Sequence, residues 1–130
     1  MDLQDRLLES IKDGTGLDIV LAFIAPDTQM GLVPQPGSHV IDEDFAGNQN
    51  WVYNYEITIK SEDAQVAAEN LMIASNYLNS LSQLKSQDRS FLFQSIEVSS
   101  APAELYADEI GVMYGLDVSV NVTQNKYMEV

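Results

Sequence analysis

Between residues 51 and 84 the hydrophobic period of the chain switches from two to that of a helix. Such a switch is satisfied by a strand that leads directly into a packed helix. Trp51, Tyr53, Tyr55, Ile57 and Ile59 alternate with Asn54, Glu56, Thr58 and Lys60, as in a strand with one face on a core and one toward water or a partner. Ser61 offers a hydroxyl to open the helix, and Glu62 and Asp63 place negative charge in its first turn, where the helix dipole favours it. Over residues 64–84, Ala64, Ala67, Leu71, Ala74, Leu78 and Leu81 form one stripe, which Ile73, Tyr77 and Leu84 widen.

The flanking segments supply packing partners for this unit. Residues 2–13 carry Leu3, Leu7, Leu8 and Ile11 on one helical face, with Asp2 and Asp5 early and Lys12 late, and Gly14 and Gly16 end the helix. Residues 17–25 read as a buried strand or a continuation of that helix; their shortness and flanking glycines favour a strand. Residues 26–38 hold three of the four prolines together with Gly31 and Gly37, which predicts a loop. A short strand over 40–45 and the turn AGNQN at 46–50 make a hairpin with the strand that starts at Trp51. Residues 85–90 are the polar helix exit. Leu92, Ile96 and Val98 then alternate around Gln94, with Phe91 and Phe93 on the opposite face, and 99–111 connect onward, broken by Pro102. Val112, Tyr114, Leu116, Val118, Val120 and Val122 form the cleanest alternation of all, in a strand of roughly 40 Å, and 124–130 are a short tail. One domain over 1–130 follows. It is an α+β fold: a four- to five-stranded, mostly antiparallel sheet with the N-terminal helix and one long helix packed on one face.

Composition narrows the function. There is no cysteine, hence no disulfide, thiolate metal site or Cys nucleophile. Twenty acids face six Lys and Arg for a net charge of −14, and the six cations are scattered singly. That disfavours phosphate-tracking nucleic-acid binding and anionic membranes, and it promotes solubility. Residues 1–12 lack a signal-peptide pattern and the longest apolar run, 19–25, is too short for a bilayer, so a soluble protein is expected. His39, the single histidine, precedes Asp42, Glu43 and Asp44, but one His without cysteine is a thin zinc set. The spacing of Asp42, Asp44 and Gly47 fails as a calcium loop, because Ala46 and Tyr53 stand where ligands are needed. No GxSxG elbow or phosphate-cradling loop is present, and Asp108 with Glu109 reads as a solvated turn. No enzyme, cofactor or metal is expected. Trp51, Tyr53 and Tyr55 are most simply core, while Tyr106, Tyr114 and Tyr127 are candidates for a subunit contact.

Several stretches together resemble the tail terminator proteins of long-tailed bacteriophages, a family of minor capsid proteins. They are the N-terminal amphipathic helix, GLVPQPGSHV at 31–40, WVYNYEITIKSED at 51–63 leading into AAENLMIASNYLNSL at 67–81, and YGLDVSVNV at 114–122. The resemblance implies a non-enzymatic ring, generally a hexamer, that is assembled in the host cytoplasm and sits at the head–tail junction of the virion. It would cap the tail tube and join it to the head–tail connector protein, with DNA passing through unbound. The expected contact residues are Met30, Leu32, Pro34, Pro36, His39, Trp51 and Tyr53, on the loop and hairpin. Asp42, Glu43 and Asp44 are expected to face the bore, where carboxylates would repel passing DNA. A head-completion or connector virion protein, or a small-molecule-binding α+β domain, are the rival readings.

Overall fold

A computed structural model describes residues 2–21, 30–86, 91–98, 103–107 and 111–125. In chain order these form α1 (Leu3–Thr15), β1 (Ile19–Leu21), β2 (Met30–Pro34), β3 (His39–Glu43), β4 (Asn48–Ser61), α2 (Ala64–Ser80), β5 (Leu92–Val98), β6 (Ala103–Ala107) and β7 (Val112–Asn125). The class is α+β, as the periodicities predict, and every strand pairing is antiparallel except β1 with β2. Among the described residues the sheet has seven strands, more than the sequence pattern picks out.

Its spine is the β4–β7 pair, two strands of 14 residues in register from Asn48 opposite Asn125 to Ser61 opposite Val112. Each spine strand is too long for one neighbour. The outer edge of β4 is shared by β3, along Gln49–Val52, and β2, along Tyr55–Ile59. The outer edge of β7 is shared by β6 near its start and β5 near its end.

Alternation sorts the two faces. Tyr55, Ile57 and Ile59 of β4, Leu116, Val118, Val120 and Val122 of β7, and Met30 and Leu32 of β2 are all buried on one face. Leu3, Leu7 and Ile11 of α1 and Ala67, Leu71, Ala74 and Leu78 of α2 join the same core. Each of these buried leucines contributes about 1.5–3 kcal/mol by leaving water. Gly16 ends α1 in the left-handed conformation (φ 73°), its N–H donating to the Lys12 carbonyl. The two helices approach closely at Gly14, where a Cβ would collide with the Tyr77 ring. There the Ser10 and Tyr77 hydroxyls share a 2.6 Å hydrogen bond.

Several expectations need correction. Residues 30–34 are a strand, not a loop; among the described residues β1 pairs with Met30–Leu32, and Pro34 closes the strand opposite Tyr55. The N-cap of α2 is Asp63, whose carboxylate accepts from the Gln65 and Val66 N–H groups, and Ser61 belongs to β4. The helix closes at Ser80, and Ile73 is exposed rather than part of the packing stripe. The hairpin turn is Asp44–Gly47, so β4 begins at Asn48. In β5 an irregularity between Phe93 and Ser95 shifts the phase. Phe93 pairs with Val122 on the core face beside Ile96 and Val98, and Leu92 points away. Residues 22–29, Asp108, Glu109 and Tyr127 lie outside the described residues, as does the side chain of Tyr106.

Candidate assembly surface

The residues singled out for contact separate into two groups. Met30 and Leu32 are 2% and 0% exposed in the core, so neither has surface to present. Pro34, Pro36 and His39 are exposed, and Trp51 and Tyr53 are half-buried. These five gather along the outer edge of β4, because the 35–38 connector folds back onto it. The Gln35 N–H donates to the Asn54 carbonyl at 2.8 Å, and the Asn54 N–H donates to the Ser38 hydroxyl at 3.2 Å. The His39 Nδ1–H donates to the Gly37 carbonyl at 2.6 Å. Trp51 and Tyr53 stack with ring centroids 5.4 Å apart, and the Tyr53 hydroxyl donates to Gln124 at 2.7 Å. Burial holds the Tyr53 and Tyr55 phenols above their ordinary range, which keeps both protonated.

Beyond this edge the β3–β4 hairpin projects. Its three acids have separate roles. Asp44 builds the turn: its carboxylate accepts from the Ala46 and Asn48 N–H groups and the Asn48 side chain, each at 2.9 Å. Those donors hold the Asp44 carboxyl below the usual range. Asp42 accepts from Asn50 at 2.5 Å and Glu43 from Gln49 at 3.2 Å. An irregularity between Val40 and Asp42 turns Ile41 outward, 54% exposed, and Phe45 at the tip is wholly exposed. Sequence reading treats Phe45 as the end of a strand. Its place between three acids and Gly47 is the signal that it stands in a turn.

The sheet face away from the helices is polar. Side-chain hydrogen bonds cross it from strand to strand: Thr123 donates to Asn50, Gln94 to Thr123, Asn121 to Ser95, and Ser119 to Asn54. Asp42, Glu56, Glu97 and Asp117 are on this face. Glu56 stands directly opposite Asp117, and partial burial, the Asp117 charge and a hydrogen bond to it raise the Glu56 carboxyl above its usual range.

On the far edge of the sheet, beside β5, lies a groove of about 540 Å³ lined by Leu84, Lys85, Phe91, Leu92 and Phe93 with Ser and Gln neighbours. Its floor is pinned by a bridge between Lys85 and Leu92. A second exposed apolar set, Val66, Met72 and Ile73, lies on the outer side of α2. Among the described residues no group of three His, Cys, Asp or Glu could hold a metal ion, and no helix is long and apolar enough to cross a membrane.

Comparison with known proteins finds likeness only at the level of structure. No protein-family model matches the sequence, and no curated protein matches it. A similar solved structure is a chain of the "Virion of native gene transfer agent (GTA) particle", at 14% identity and a TM-score of 0.60, covering 95% of this chain and 94% of that one. The likeness is one of fold. It runs nearly end to end in both chains rather than over one local motif.

Proposed function

We propose that this chain is a structural, non-enzymatic virion protein of a tailed bacteriophage or a particle built like one. Copies of it form a closed ring, generally six in number by analogy with tail terminators. The ring ends the tail tube and joins it to the head–tail connector protein. The observation that carries the reading is the end-to-end fold likeness to a chain of a gene transfer agent virion. The resemblance of element order and character to tail terminators supports a position at the head–tail junction, after assembly in the host cytoplasm. In this reading the polar sheet face, with Asp42, Glu56, Glu97 and Asp117, lines the bore, and the helices lie outside. Carboxylates and neutral amides facing DNA repel its phosphates, and Lys60, the cation of β4 on this face, is buried. Glu43 and Asp44 border the bore where the hairpin crosses toward a neighbour.

Deleting the gene in the parent phage or particle tests this. Tails of uncontrolled length, with filled heads that fail to join them, are expected. Normal tails on heads that leak DNA would move the protein to the head-completion position. Normal particles without it would remove it from the virion altogether.

A further inference from the structure

We infer that the hairpin turn of one copy docks into the β5-side groove of the next, with Phe45 as the inserted side chain and Lys85 meeting the acids beside it. The inference deepens the ring reading and rests on it. Four observations converge. Phe45 is wholly exposed, and its turn is held rigid by the Asp44 carboxylate, so presenting the ring costs little ordering on contact. The groove's flanks are Leu84, Phe91, Leu92 and Phe93, and its volume of about 540 Å³ leaves room for an aromatic ring. Lys85 is the one charged residue among its described lining, a local positive spot on a chain of net charge −14, and it matches Glu43 and Asp44 beside Phe45. Finally, the two surfaces sit on opposite edges of the sheet. The turn caps the β3 side and the groove flanks β5, with β4 and β7 between them, about 14 Å of strand spacing in all. No copy can fill its own groove. Dissimilar, complementary surfaces on opposite edges make a head-to-tail contact, the kind that closes rings.

Because the chain has no cysteine, introduced thiols report the contact cleanly. Ala46→Cys marks the turn and Gln83→Cys the groove, both at exposed positions. Oxidising the double variant, in concentrated solution and in assembled particles, is expected to give a ladder of covalent dimers, trimers and larger species, and each single variant none. Cross-linking of Ala46→Cys alone would mean turn meets turn, and the inference fails. Oligomers seen by mass measurement that the double variant does not cross-link overturn the docking and leave the ring reading standing. No oligomer in solution or in particles overturns both. As an independent check, Phe45→Ala is expected to weaken self-association roughly thirtyfold without changing the melting temperature. Lys85→Glu should weaken it too, with recovery when Glu43→Lys is added. A Phe45→Ala variant that assembles like the parent contradicts the inference.

Discussion

Glu56 and Asp117 face each other across the two central strands, and the more buried carboxyl of the two keeps its proton to higher pH. The folded chain therefore binds a proton that the unfolded chain releases sooner. Its stability is complete below the ordinary glutamate range and falls as pH rises through the raised value. Glu56→Gln imitates the protonated form. It is expected to raise the melting temperature at neutral pH, with the gain shrinking as pH is lowered toward the ordinary glutamate range; an equal gain at every pH would sink the assignment. Asp44 works with the opposite sign, since its lowered carboxyl loses stability only as pH falls through that low value. A second residue-scale effect is steric. A Cβ on Gly111 would lie 2.5 Å from the Ser61 carbonyl oxygen, a backbone atom that cannot swing aside. Gly111→Ala should cost about 1–3 kcal/mol in denaturant unfolding. Neither the carboxyl pair nor the Gly111 contact is legible in sequence, because both depend on which rungs of β4 and β7 meet.

At the scale of elements, much was readable where one period ran uninterrupted. The alternation of Trp51 through Ile59 and of Val112 through Val122 marks β4 and β7, and the spacing of Ala67, Leu71, Ala74 and Leu78 marks the buried side of α2. Leu71 is fully buried there, so Leu71→Ala is expected to destabilise by about 2–5 kcal/mol in chemical denaturation. Asp63→Ala, which removes the cap carboxylate, should cost about 0.5–2 kcal/mol in the same measurement, and Ser61→Ala less. What misled was local chemistry overruled by pairing. Prolines at 34 and 36 suggest a loop, yet Met30 and Leu32 are clamped between β1 and β4. In β5 one irregular rung moves Phe93 into the core and Leu92 out of it, a phase change that no count of alternating residues reveals.

For the whole molecule, the charge sets the terms of association. Each copy carries −14, so bringing copies together works against long-range repulsion that salt screens within about 10 Å at 0.1 M. Self-association should therefore strengthen as ionic strength rises, read by sedimentation or light scattering. Weakening with salt would mean that short-range ion pairs, not the overall field, govern assembly. The fold class was open to sequence reasoning because it follows from element types and order. The candidate surface was legible only in part. Pro34, Pro36, His39, Trp51 and Tyr53 could be picked out from the sequence and lie along the outer edge of β4, and their contact role is a proposal, whereas the exposed turn and the far groove emerge only from strand order.

That strand order has a consequence for biosynthesis. Every rung between β4 and β7 joins residues at least 51 positions apart, Ser61 with Val112 being the nearest. On the ribosome β4 is made well before its lifelong partner and must wait with one long edge open until β7 emerges. Translation errors or premature stops upstream of β7 would leave that edge bare and ready to recruit another chain, so uninterrupted translation through β7 guards this protein against clumping.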